Sequence, residues 1–184
     1  LFSYYMAEYA EDADGNPNFS ADDKDFVGKD ALPDWNTGLS LNLSVKNWDF
    51  STFFTGQFGF YVYNNTANAF LNRPTFLTSR NTTPDGLALL SQEVSTLYLE
   101  SGDFVRLQNA SVGYNIPMRD GSAIESLRVN VTGQNLLLIT GYSGLDPEVS
   151  SSTGDFGSSI PSAGIDYTSF PRPTTVTVGL NARF

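Results

Sequence analysis

The sequence predicts an all-β chain, an antiparallel up-and-down transmembrane β-barrel segment of about six strands with three long external loops. Three observations predict it. Six stretches alternate apolar and polar residues with the two-residue period of a two-faced strand. Their connections run long, short, long, short, long, as in an outer-membrane barrel with tight turns inside and long loops outside. The acidic side chains gather in the long connections and leave the oily faces uncharged.

Taken in order, the first candidate strand is LFSYYMAEYA, residues 1–10. The second is GLSLNLSVK, where Leu39, Leu41, Leu43 and Val45 alternate with Ser40, Asn42, Ser44 and Lys46. The third, FSTFFTGQFGFYV, carries Phe50, Thr52, Phe54, Gly56, Phe58, Phe60 and Val62 on one parity. The fourth, FVRLQNASVGYNI, carries Ala110, Val112, Tyr114 and Ile116 on one parity. In the fifth, LRVNVTGQN, Leu127, Val129 and Val131 alternate with Arg128, Asn130 and Thr132. The sixth is TTVTVGLNARF, where Val176, Val178, Leu180, Ala182 and Phe184 alternate with Thr175, Thr177, Gly179, Asn181 and Arg183. Their lengths cluster near the ~9–11 residues that cross a tilted barrel wall.

A tight turn at Lys46 and Asn47 joins the second strand to the third, and PMRDGSA, residues 117–123, joins the fourth to the fifth. The other connections, residues 11–35, 63–103 and 141–171, are long, which is uncommon in compact domains. If the last strand ends on the periplasmic side, both short turns are periplasmic and all three long connections external. The oily faces expected to meet outer-membrane lipid are Leu39, Leu41, Leu43 and Val45, then Phe54 and Phe58, Val112 and Tyr114, Val129 and Val131, and Val176, Val178 and Leu180. A charge there would cost a few kcal/mol near the midplane, about 2–4. Trp48 and Tyr114 lie near the short turns, where an aromatic girdle belongs. Asn42, Gln57, Arg128, Asn130, Thr132, Asn181 and Arg183 would line a wet interior. A soluble β-sandwich, such as a carbohydrate-binding module, also has alternating strands. It remains the alternative, though it would mix connection lengths.

Composition removes several functions. The 184 residues contain neither Cys nor His, which excludes thiolate and imidazole metal sites, Cys nucleophiles and Ser-His triads. A net charge of −10 makes nucleic acid a poor partner. No apolar run approaches the ~20 residues of a membrane helix, and barrels leave only a weak hydropathy signal. Six Asn-x-Ser/Thr sequons, at Asn18, Asn42, Asn64, Asn81, Asn109 and Asn130, read better as polar strand and turn residues than as glycosylation acceptors. The stretch Asp12-Ala13-Asp14-Gly15-Asn16 begins like a calcium loop, but Gly15 comes at position 4 where an EF-hand needs it at 6. Turn chemistry is expected at Asp12 and Asp14, with no metal and no cofactor. Asp146 and Glu148 could form a carboxylate pair, but two-residue spacing on a loop carries no catalytic geometry. No enzymatic role is expected. Residues 64–71, NNTANAFL, suggest a short helix. The aromatics Tyr61, Tyr63, Tyr98, Tyr142, Phe156, Tyr167 and Phe170 suit either a sugar-stacking or lid-contacting surface or packing between loops.

Longer stretches carry a resemblance. YLESGDFVRLQNASVGYNIP (98–117), LRVNVTGQNLLLITGYSGLDPEVS (127–150) and GIDYTSFPRPTTVTVGLNARF (164–184) resemble the closing region of SusC/RagA-type TonB-dependent outer-membrane transporters. Residues 31–64 and 1–19 fit the same family's preceding strands, so the resemblance covers essentially the whole chain in order. It implies a 22-stranded barrel in the outer membrane of a Bacteroidota-type bacterium, of which residues 1–184 would be the C-terminal part. The plug domain and the TonB box would lie outside these residues. It implies uptake of glycans or oligosaccharides, or of peptides, with a SusD-like lipoprotein over the external mouth and energy from the TonB-ExbB-ExbD system. It also implies that Thr177, Gly179, Ala182 and Phe184 resemble the C-terminal β-signal read by the outer-membrane assembly machinery.

Overall fold

The structure, a computed structural model, describes residues 3–76, 85–88, 90–119, 121, 123–151 and 162–184. In chain order the elements are β1 (Ser3–Ala7), β2 (Lys24–Asp30), β3 (Trp35–Val45), β4 (Trp48–Phe58), β5 (Tyr61–Asn64), helix α1 (Asn65–Phe70), β6 (Leu99–Ser101), β7 (Phe104–Ile116), β8 (Ser126–Thr140), β9 (Ser150–Ser151), β10 (Ser162–Ala163), β11 (Ile165–Asp166) and β12 (Thr175–Arg183). They divide into two units. One comprises Leu1–Asp34, Phe58–Asp103 and Thr140–Pro171; the other comprises Trp35–Gln57, Phe104–Ile139 and Arg172–Phe184.

The second unit is a single sheet in the order β12-β8-β7-β4-β3. Five of the six expected strands therefore lie side by side. β12 pairs with β8 antiparallel over nine residues, from Thr175↔Gln134 to Arg183↔Ser126. β4 pairs with β7 antiparallel from Trp48↔Tyr114 to Gln57↔Phe104. The β3–β4 turn is the expected one: Lys46 takes φ +54, the left-handed geometry of a two-residue hairpin loop. Within this unit no second layer packs on the sheet among the described residues, and its one fully buried large apolar side chain is Phe104. A soluble sandwich would place a facing sheet there, so the single layer speaks for a wall segment.

Two local departures from simple alternation matter. The β4–β7 register shifts between Phe53 and Phe54, which pair with Asn109 and Leu107. Gln108 is thus the extra residue of a β-bulge, and the parity of β7 reverses across it. Before the bulge Val105 and Leu107 take the face that Ala110, Val112 and Tyr114 take after it. The expected third strand is also two elements. Gly59, at φ +79, ends β4, and Phe60 (4 % exposed) and Val62 (0 %) are core residues of the first unit rather than members of an oily outer face.

The first unit contains the long connections, and they carry structure of their own. The expected first strand, residues 1–10, supplies β1, which pairs with β2 rather than with the five-stranded sheet. β5 pairs antiparallel with β6 and parallel with β11. Helix α1 forms where NNTANAFL suggested it, because the Asn64 side chain accepts a hydrogen bond from the Ala67 N–H at 2.9 Å and caps its first turn. The core here is Met6, Tyr63, Ala67, Tyr98 and Leu99, with Tyr4, Val27 and Ile165 packed around it.

Candidate functional site

The five-stranded sheet has one apolar and one polar face, and their chemistry differs sharply. On the apolar face the ladder sets Val178 beside Val131, Leu180 beside Val129, Phe50 beside Val112 and Trp48 beside Tyr114. Leu39, Phe54 and Val105 line one shallow hollow on it. Leu39, Leu41, Leu43, Val45, Val176, Val178 and Leu180 stand 49–72 % exposed. Phe58 closes β4 on the parity of Phe54. Near the β3–β4 turn, Trp48 stacks with Phe50 (centroids 6.2 Å apart) and meets Tyr114 at 4.5 Å. On β12, Thr177 and Gly179 share the polar parity, and Ala182 pairs with Leu127 on the apolar one. Phe184 follows β12 and is 81 % exposed.

The polar face is tied together by side-chain bonds between strands. Asp49 on β4 receives a bidentate pair from Arg128 on β8, both bonds at 2.6 Å, across the intervening β7. Gly113 lies beneath them: a Cβ there would stand 2.7 Å from Asp49 Oδ2 and from Arg128 Cζ, so only hydrogen leaves the guanidinium room. Ser51 and Ser111 share a 2.7 Å bond, Thr55 donates to Gln108 at 3.2 Å, and Asn181 donates to Asn130 at 3.4 Å. Arg106 donates to Asn135 Oδ1 at 2.6 Å, with its guanidinium 5.3 Å from the Phe104 ring. Gln57, Asn42 and Thr132 fall on strands of the same sheet.

The first unit builds a second candidate region. Tyr4 donates to Gly164 O at 2.6 Å and to Tyr61 O at 2.9 Å, and Tyr63 N–H donates to Gly164 O at 2.7 Å. All three long connections meet at Gly164. It has φ +71, and a Cβ there would stand 2.7 Å from Ala31 Cβ. Ser143 donates to Glu100 through its hydroxyl (2.7 Å) and its N–H (2.7 Å), and Asn64 donates to the same carboxylate at 3.0 Å. Tyr142 donates to buried Asp166 at 2.8 Å. Burial first, and then the Asp166 charge, push the Tyr142 phenol well above its ordinary range. Burial raises Tyr4 and Tyr63 likewise and pushes Tyr98 up to about 12. Beside this network Asn64, Ala67, Leu71, Ser143, Asp166 and Phe170 line a hollow of about 530 Å³.

These contacts decide most of the open residues. Tyr63, Tyr98 and Tyr142 are core side chains, 5 %, 1 % and 6 % exposed. Tyr61 lies under the Lys29 ammonium, 4.6 Å from its ring, and Tyr167 stacks with Phe70. Phe170 stands almost fully exposed. Phe156 and Asn81 lie outside the described residues. The Asp12 carboxylate accepts from the N–H groups of Asp14 and Asn16, both at 2.9 Å, and Gly15 takes φ +79. The backbone bond from Asn16, foremost, holds Asp12 below the usual carboxylate range. Asp146 accepts from the Glu148 N–H at 3.0 Å, which makes that carboxylate a turn element. Sequence reasoning missed the Gly164 junction, for which no local signal exists. It also missed the bulge, although the consecutive polar pair Gln108-Asn109 inside an alternating run marks it.

No family model matches the chain. Over 96 % of its length it is 33 % identical to TonB-dependent receptor P3 of Formosa agariphila, and over 94 % it is 34 % identical to TonB-dependent receptor P26 of the same organism. Over 94 % of its length it is 30 % identical to TonB-dependent receptor SusC of Bacteroides thetaiotaomicron. The chain spans 19 %, 19 % and 17 % of those proteins, roughly a fifth of each. Among solved structures it superposes on the RagAB peptide importer in the open-open state with a TM-score of 0.73 at 24 % identity, covering 99 % of this chain and 22 % of that one. A second structure, of the RagAB peptide transporter, gives 0.69 at 25 % identity, covering 97 % and 22 %.

Proposed function

Because the chain belongs to the SusC/RagA type of TonB-dependent receptors, we propose that it is the C-terminal part of the barrel wall of an outer-membrane nutrient importer. The observation that carries this reading is the single-layer sheet whose apolar face is bare while its polar face is cross-bonded from strand to strand. A bare apolar face of this size on a soluble domain would drive aggregation; in a bilayer it meets lipid, and the polar face lines a wet lumen. The long connections then face outward and the short turns inward. The role is transport rather than catalysis, in keeping with the transporter family. A plug domain and TonB box elsewhere in the protein would couple it to TonB-ExbB-ExbD, and a SusD-like lipoprotein would close the mouth. The cargo is a glycan or oligosaccharide, or a peptide as in the RagAB importer's own name. Thr177, Gly179, Ala182 and Phe184 would serve as the assembly signal.

Single cysteines at consecutive β12 positions 176–181 of the full-length receptor test this reading. Positions 176, 178 and 180 should react only with a lipid-soluble thiol reagent, and 177, 179 and 181 with a water-soluble one. Labelling without two-residue periodicity refutes the wall.

A further inference from the structure

The second and third long connections, residues 63–103 and 141–171, lie in the first unit and are bonded to each other along their length. β5 and β11 pair in parallel, Tyr63 with Ile165 and Asn64 with Asp166, and the Tyr63 N–H donates to the Gly164 carbonyl at 2.7 Å. The Thr66 hydroxyl donates to the Asp166 carbonyl at 3.3 Å and accepts from the Thr168 N–H at 2.7 Å. The Asn64 amide donates to the Ser143 hydroxyl at 3.1 Å, and Ser143 donates twice to Glu100 at 2.7 Å. Apolar contact accompanies the polar bonds. Ile165 packs against the Tyr63, Ala67, Tyr98 and Leu99 cluster, and the Tyr167 ring stacks with Phe70.

Two features make these bonds interdependent. First, single buried residues serve several partners at once. Asn64 caps α1 with its oxygen at 2.9 Å while its nitrogen serves Glu100 and Ser143. Asp166 takes the Tyr142 hydroxyl on one carboxylate oxygen at 2.8 Å, the Ser169 N–H on the other at 3.3 Å, and the Thr66 hydroxyl on its carbonyl. Asn64, Tyr142 and Asp166 are all buried. Lifting one connection away while the other stays would strand these groups in a low-dielectric interior, and a stranded buried polar group costs more than a hydrogen bond contributes. Partial opening is therefore disfavoured relative to opening of both connections together. Second, Thr168 takes φ +53, a left-handed geometry that a β-branched residue rarely adopts. Such a backbone persists where its surroundings over-determine it, and here the Thr66 hydroxyl, on the other connection, holds it.

We propose that the second and third long connections form one two-state body that opens and closes as a unit, so that a ligand or partner engaging either connection repositions both. Placing this body at the barrel mouth rests on the transport reading above; the coupling itself rests on contacts within the first unit. The test is hydrogen exchange at the Tyr63, Ser143 and Thr168 N–H groups in the full-length receptor. Thr66→Val keeps the side-chain shape and removes both hydroxyl bonds, so exchange should accelerate about tenfold at all three amides. Ser143 is the decisive one, because its bonds run to Glu100 and Asn64. Reciprocally, Ser143→Ala should accelerate exchange at Thr168 by a similar factor. Acceleration confined to residues 166–169 in T66V, or to the surroundings of Ser143 in S143A, refutes the single body, as does unchanged exchange in both variants. Should T66V fail to fold, a urea series on the unaltered receptor decides: one common slope and one opening equilibrium at the three amides supports the proposal, and separate slopes refute it. Cysteine labelling of β12 without two-residue periodicity would overturn the barrel wall and leave the coupling standing.

Discussion

Val178 offers the sharpest test of which face meets lipid. β12 pairs with β8 over nine residues, and Val178 is the fourth of them, beside Val131. At ~3.4 Å per residue and a ~45° tilt the strand crosses about 22 Å of bilayer, which places Val178 within about 3 Å of the strand's midpoint. Its side chain is 72 % exposed on the bare face. Val178→Ala removes the equivalent of two methylenes from lipid and should cost about 1–1.5 kcal/mol. Val178→Arg adds a charge near the midplane and should cost about 2–4 kcal/mol, a fall of roughly 30- to 800-fold in the folding constant. Thr177→Arg, one residue away and on the polar parity, should cost under about 0.5 kcal/mol, as at an ordinary solvated position. The assay is urea-dependent folding of the full-length receptor into vesicles, followed by tryptophan fluorescence and electrophoretic band shift. A difference between V178R and T177R below about 1 kcal/mol would refute the assignment of faces.

Three further outcomes follow from the contacts. Gly164→Ala should destabilise the first unit by about 2 kcal/mol or more, because it adds a Cβ where φ is +71 and Ala31 and Tyr61 already press in; hydrogen exchange at Tyr63 N–H should accelerate, and unchanged protection would contradict the junction. The phenols give a pH dependence of known sign: their neutral forms are favoured in the fold, so the stabilisation is complete below the ordinary tyrosine value near 10. For Tyr98 it disappears as the pH climbs through about 12. Alkaline titration should therefore show late phenolate absorbance coinciding with unfolding, and the late component should shrink in Tyr98→Phe. Deleting Phe184, or changing it to Asp, should block membrane assembly of the full-length protein, read by outer-membrane fractionation; normal assembly would exclude it from the assembly signal.

The parts of the wall legible in sequence are those governed by the period of two. Leu39 to Val45 and Val176 to Leu180 alternate without interruption, and the pleat places each such set on one face whatever its partner. The tight Lys46-Asn47 turn and the short helix α1 were legible too, since both are settled within a few residues. Where a strand changes register the alternation misleads. The run from Phe50 to Val62 reads as one strand, yet Gly59 ends it and sends Phe60 and Val62 into a different core.

What the sequence determined by itself was thus the kind of element and its two faces, because strand patterning is local and every second residue reports on it. Tertiary structure alone decided the rest. The pairing of β4 with β7 exposed the bulge that brings Gln108 and Asn109 together. The order of strands let Arg128 reach Asp49 across Gly113 from 79 residues away. The fold also brought Tyr4 to Gly164, 160 residues apart, at the point where the long connections meet. Such contacts depend on which strands lie side by side, and no local period encodes that choice.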